Sequence, residues 1–126
     1  MTKFKSSCFK ESLYHAFRGL RLAVSSQRNF LIEIFIGCFV TFIAILLEFS
    51  PSDFCILFIM ILIVLVCELI NSVIEFTLDA VYGNNYSKLV EMAKDMSAGM
   101  VLISAIASIV VGFVLFYPYV IKLFIE

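Results

Sequence analysis

The chain has 126 residues, 63% of them apolar and 15% charged, with a mean hydropathy of +1.08 and a net charge of −1. A globular domain is roughly 45–50% apolar and about 25% charged, and one this small buries only about 60–70% of its unfolded surface, so a soluble fold is excluded. The near-neutral charge argues against nucleic-acid binding, and the length leaves no room for a two-domain enzyme; what remains is a small integral membrane protein.

The charge is unevenly placed. Residues 1–28 carry Lys3, Lys5, Lys10, Arg18, Arg21 and Arg28 against Glu11, a charge of +5. Residues 29–126 carry three basic residues, Lys88, Lys94 and Lys122, against nine acids, a charge of −6. The basic head scatters its apolar residues among charges and offers no cleavage site, so it does not read as a signal peptide. Within it, Phe9, Leu13, Phe17, Leu20 and Val24 recur every three or four residues, with Lys10, Arg18 and Arg21 on other faces. That periodicity predicts an amphipathic helix lying in the headgroup layer; a short helix packed on the rest of the protein is the alternative.

The first long apolar run, residues 30–49, is broken by Glu33 and Glu48 near its ends and suffices to cross a hydrocarbon core of about 30 Å. Ser50-Pro51-Ser52-Asp53 allows only a tight turn, with serine as an N-cap and proline in the first helical turn. Residues 54–67 are apolar throughout, and the helical pattern continues with polar insertions to about Val81. Tyr82-Gly83-Asn84-Asn85-Tyr86-Ser87 reads as a loop, residues 88–95 as a helical lead-in, and residues 96–121 contain no charge. The expected fold is therefore all-α. A surface helix occupies residues 1–29, and a transmembrane unit occupies 30–126 with spans at about 30–49, 54–75 and 97–121. The turn at 50–53 has no Lys or Arg, whereas the head and residues 82–95 do; the positive-inside rule puts the N-terminus in the cytoplasm, with Lys122 dissenting. Cys8, Cys38, Cys55 and Cys67 have no metal-like spacing and three lie in apolar runs, so neither a disulfide nor a zinc site is expected.

The second span carries a polar stripe. Glu68, Asn71, Glu75 and Asp79 fall within an arc of roughly 80° at 100° per residue. Measured from residue 54, Glu68 lies roughly 21 Å along the helix, inside the hydrocarbon zone, and Glu75 roughly 31 Å along, at its boundary. Asp79 at the helix end is equally well explained by solvation; Glu68 is too deep for that, and intramembrane carboxylates mark functional sites. Clustered acids of this kind can conduct a cation, carry a proton or bind a divalent metal. The apolar outer half of the helix disfavours conduction, and Mg²⁺ is typically held by one or two carboxylates plus substrate phosphates. A carboxylate just below the surface can also act as general base toward a lipid hydroxyl. Across the loop, Lys94 can meet a phosphate and Asp95 can hold a metal or orient Lys94, although either alone would pass as an interfacial anchor or a helix N-terminal acid.

Glu68-Leu69-Ile70-Asn71-Ser72-Val73-Ile74-Glu75-Phe76-Thr77-Leu78-Asp79 closely resembles the signature of the prokaryotic diacylglycerol kinase family, which includes undecaprenol kinases. Ala93-Lys94-Asp95-Met96-Ser97-Ala98-Gly99-Met100-Val101-Leu102 resembles its second block, and the likeness runs from about Tyr14 to Val111. The resemblance implies an ATP-dependent lipid kinase of the bacterial inner membrane, a homotrimer with sites shared between protomers, that converts diacylglycerol to phosphatidic acid or, alternatively, phosphorylates undecaprenol. It implies Glu68 as general base, Glu75 as ligand of the Mg²⁺ that bridges the ATP phosphates, and Asn71, Lys94 and Asp95 as phosphate contacts. His15, Gln27, Asn85, Tyr86 and Ser87 would line the nucleotide, Arg21 and Ala98 would join Glu68 at the lipid, and Asp79 and Glu33 would support the site.

Gln27 stands where the family usually has an acidic second metal ligand, and a neutral amide is a poorer ligand for a hard cation; either the metal is held more weakly or Glu33 assists. The family's frequent Tyr-His after the loop is Tyr86-Ser87 here. Arg28-Asn29-Phe30 resembles undecaprenol kinases, whereas Glu33 leans toward diacylglycerol kinases. On the third span, Ser104, Ser108 and Gly112 repeat small side chains every four residues, with Gly99 on an adjoining face, a pattern expected to pack helices closely. The competing non-enzyme reading is a multispan subunit or ion-conducting scaffold.

Overall fold

The computed structural model describes residues 9–83, 85 and 87–125, and among these all regular structure is helical. The helices are α1 (Phe9–Ser26), α2 (Arg28–Leu46), α3 (Pro51–Tyr82) and α4 (Lys88–Ile125). The last three are long and apolar enough to cross a membrane. The protein is thus an all-α membrane protein with one additional N-terminal helix.

A single residue separates α1 from α2. Gln27 adopts an extended backbone (φ −106°, ψ 104°) and its side chain makes no cap hydrogen bond. Its N–H still bonds the Ala23 carbonyl at 2.9 Å and its carbonyl accepts from Leu31 at 3.2 Å, so the joint bends the chain without leaving its backbone groups unpaired. On α1 only Ala23 is buried, while Phe9, Leu13, Phe17 and Leu20 are exposed along one side. Such a stripe has to be covered by lipid or by another surface.

The α2–α3 turn is tight because both helix ends are capped within it. Glu48 takes a positive φ of 55°. The Glu48 N–H bonds Ile45 O at 3.1 Å and the Phe49 N–H bonds Ala44 O at 3.1 Å, the paired bonds of a Schellman motif. Ser50 then caps α3, its Oγ accepting from the Asp53 N–H at 3.2 Å and donating to Asp53 Oδ2 at 2.8 Å. Tyr119 of α4 closes this box: its hydroxyl donates to Asp53 Oδ2 at 2.6 Å and accepts from the Ser50 N–H at 2.9 Å, while its ring stacks on Phe49 at 4.2 Å.

Beside this turn lies the apolar core, Ala44, Leu57 and Leu115, ringed by Val40, Phe49, Phe54, Ile61, Val111 and Phe116. The buried polar side chains Glu68, Asn71, Ser72, Ser97 and Ser104 lie further along α3 and α4. One end of the bundle is therefore oily and capped, and the other holds the polar groups. The small-residue stripe of α4 is divided: Ser104 is buried at 6% exposure, whereas its glycines leave space. A Cβ at Gly99 or Gly112 would meet nothing within 4 Å, whereas one at Gly37 would come within 2.9 Å of Ile61 Cγ2. Gly37 is what lets α2 and α3 touch. Gly112 and Ser108 instead line a groove of about 480 Å³ between α2, α3 and α4, with Glu33 also in its wall.

Candidate functional site

The site is built on the inner face of α3. Helical spacing places Glu68, Asn71, Glu75 and Asp79 in line, and packing within the bundle buries the deeper two: Glu68 is 3% exposed and Asn71 6%, whereas Glu75 is half-buried and Asp79 open. The stripe thus runs from an enclosed carboxylate to a solvated one, which fits a site entered from the α3–α4 loop.

Helix α4 supplies the facing groups. Lys94 Nζ pairs with Asp79 Oδ1 at 2.6 Å. An ammonium has three donors, so this pair leaves Lys94 able to meet an anion as well. One turn further, the Ser97 hydroxyl, 4% exposed, donates to Asn71 Oδ1 at 2.6 Å. Asn71 Nδ2 in turn donates to Glu75 Oε1 over a long 3.4 Å. A chain of polar contacts therefore crosses from α4 to the middle of the stripe.

Helix α2 closes the third side. Asn29 presents its carboxamide to Glu68 as a hydrogen-bonding group, and the carboxylates of Glu33 and Glu75 both lie near enough to repel that of Glu68. Glu33 Oε2 and Ser72 Oγ are buried with no hydrogen-bond partner among the described residues. An orphaned carboxylate oxygen in the neighbourhood of Glu68 is a place where a cation or a donor group would be bound favourably.

Other expected site residues are dispersed. His15 and Arg21 are exposed on α1, Gln27 is half-buried at the joint, and Asp95 and Ala98 are exposed on α4. Asn85 is exposed in the loop and its N–H bonds Tyr82 O at 3.0 Å, Ser87 immediately precedes α4, and Tyr86 lies outside the described residues. No hydrogen bond among the described residues joins the side chains of His15, Arg21, Gln27, Asn85, Ser87 or Asp95 to the Glu68–Glu75 cluster. Nor do three His, Cys, Asp or Glu side chains among them converge as a ready metal cage. Three contributors were not singled out by sequence: Asn29, Ser72 and Ser97. The available signal was helical phase, since Asn29 precedes Glu33 by four residues and Ser97 follows Lys94 by three.

The arrangement combines an enclosed carboxylate able to accept a proton, neighbouring carboxylates able to attract a cation, and a lysine for an anionic group. Two relatives show where it belongs. The "Diacylglycerol kinase" of Synechocystis sp. is 35% identical over 114 residues, 90% of this chain, although the match spans 65% of that protein's length. The "Undecaprenol kinase" of Bacillus subtilis is 33% identical over 110 residues, 87% of this chain and 89% of that protein. Residues 14–116 match the family described as "Prokaryotic diacylglycerol kinase". That stretch contains Glu33, the whole α3 stripe, Lys94 and Ser97, so the chain belongs to the prokaryotic diacylglycerol kinase family.

Proposed function

We propose that this chain transfers the γ-phosphoryl group of ATP to the hydroxyl of a membrane lipid, diacylglycerol in the first place. The observation that carries this reading is the near-complete burial of the Glu68 carboxylate at the head of a stripe that becomes progressively more open toward Lys94 and Asp79. A lipid hydroxyl approaches from the apolar side and a nucleotide from the loop side, and Glu68 stands between them. Its carboxylate takes the hydroxyl proton as the lipid oxygen attacks, and its burial keeps bulk water from competing for that position.

Asn71 and Lys94 provide donors to the phosphates, with Asp95 beside them, and Asp79 holds Lys94 extended until an anion arrives. His15, Gln27, Asn85, Tyr86 and Ser87 line the nucleotide, and Arg21 and Ala98 the lipid. The donor set suits a hard divalent cation. Glu75 is half-buried and receives one long hydrogen bond, and Glu33 Oε2 lacks a partner. Glu75, with Gln27 or Glu33 as a further oxygen donor, would hold Mg²⁺, which when bound would neutralise charge on the β- and γ-phosphates. The dispersal of the nucleotide-side residues within one chain supports a homotrimer with sites shared between protomers. The basic head, and an α2–α3 turn without Lys or Arg, support a cytoplasmic N-terminus in a bacterial inner membrane.

Undecaprenol is the second acceptor to consider, because the match covers 89% of the Bacillus protein named for it. Purified protein in mixed micelles with ATP and Mg²⁺, offered each lipid separately, should phosphorylate diacylglycerol. Transfer to undecaprenol alone would reassign the acceptor, and transfer to neither would overturn the kinase reading. Glu68→Gln should retain thermal stability while losing at least about a hundredfold in kcat, the lower end of what general-base catalysis contributes; wild-type turnover in that variant would remove Glu68 from the chemistry.

A further inference from the structure

Asn71 has a carboxamide, whose two ends occupy nearly the same volume but are opposite in hydrogen bonding: one end donates and the other accepts. Which end faces Glu75 decides whether the middle of the stripe offers a donor to an anion or adds another acceptor to a region already rich in acids. Glu75 alone sets this weakly, since its contact with Asn71 is 3.4 Å long. The short contact is on the other side, where Ser97 Oγ lies 2.6 Å from Asn71 Oδ1.

We propose that Ser97 is a positioning residue of the nucleotide site: by donating to Asn71 Oδ1 it turns Nδ2 toward Glu75 and the phosphates. This inference rests on the lipid-kinase reading above. Two observations support it. Ser97 and Asn71 are both buried, at 4% and 6% exposure, so water does not compete for the bond. They sit on different helices, α4 and α3, so the bond also sets the register of the stripe against Lys94 one turn away. The hydroxyl has a single hydrogen and a second acceptor within reach, Lys94 O at 2.8 Å. Were the amide reversed, Ser97 would accept from Nδ2 and give its hydrogen to Lys94 O, and two oxygens would face each other at Glu75. A divalent cation bound to Glu75 alone could reward that reversal; an anionic phosphate disfavours it. Ser97 therefore matters most when nucleotide is being bound, and its effect is expected on ATP rather than on lipid.

The test is a kinetic comparison of Ser97→Ala and Ser97→Thr with wild type in mixed micelles. Losing one buried neutral hydrogen bond corresponds to about a three- to tenfold effect. Ser97→Ala should raise the KM for ATP by that factor with the KM for lipid unchanged, and Ser97→Thr, which keeps the hydroxyl, should recover most of the loss. Affinity for a non-hydrolysable ATP analogue with Mg²⁺ should fall in Ser97→Ala and further in Asn71→Ala, which also loses the phosphate donor, and the double variant should be no weaker than Asn71→Ala, because without Asn71 the Ser97 hydroxyl has nothing to position. An unchanged ATP KM in an active Ser97→Ala protein, equal increases in both KM values, or fully additive effects with Asn71→Ala would each overturn the role of Ser97 alone. A wild-type protein that transfers phosphate to neither lipid would overturn the kinase reading, and the nucleotide role of Ser97 with it.

Discussion

Glu75 sits where the stripe changes character, between the enclosed Glu68 and Asn71 and the open Asp79. A half-buried carboxylate with one long hydrogen bond is free to take a cation without first losing a strong partner. Glu75→Gln keeps the size and one accepting oxygen but removes the charge. The variant should need about tenfold more Mg²⁺ for half-maximal rate at fixed ATP, measured by titrating the metal in mixed micelles; an unaltered Mg²⁺ requirement would move the ligand elsewhere. The stripe itself was readable from sequence because helical phase is set by covalent geometry: carboxylates three and four residues apart share a face in any α-helix. Ser97 and Asn29 were not readable in the same way. Each is a single uncharged residue whose partner lies on another helix, and the crossing of α3 with α2 and α4 is not written in the spacing of any one of them.

At the scale of elements, the turn between α2 and α3 shows the same division. Ser50 and Pro51 announce a helix start from sequence, and both act as such. The left-handed Glu48 and the closure of the box by Tyr119, more than sixty residues later in the chain, do not announce themselves. A side chain in the left-handed region costs roughly 1–2 kcal/mol, a cost that glycine avoids. Glu48→Gly should therefore stabilise the protein by about 1 kcal/mol, read as a higher Tm in detergent with the lipid-kinase activity retained; a lower Tm would mean that Glu48 makes compensating contacts. The small-residue stripe on α4 is used unevenly. Ser104, Ser108 and Gly112 have the spacing of a packing face; Ser104 is buried, Gly112 and Ser108 border the groove, and Gly37 on α2 approaches Ile61 closely. Spacing identifies which residues share a face, not which face meets a neighbour within the same chain.

For the whole molecule, composition alone determined membrane residence, and the helices bear it out. The proposed orientation rests on the basic head, and cysteine labelling tests it. In a cysteine-free background, Ser52→Cys in the α2–α3 turn should react with a membrane-impermeant maleimide in intact cells. Leu89→Cys, exposed in the first turn of α4, should react only after the membrane is opened. The reverse pattern would invert the topology and move the proposed ATP site to the wrong side. Finally, the one-residue joint at Gln27 has a consequence for depth. Asn29 and Glu33 follow it by two and six residues, about 3 and 9 Å of helix rise. With α1 floating in the headgroup layer, as its exposed apolar stripe favours, the joint acts as a float on a short rod. It would then suspend the acid cluster at a fixed distance beneath the lipid surface, and that level would travel with the surface when the bilayer thickens or thins.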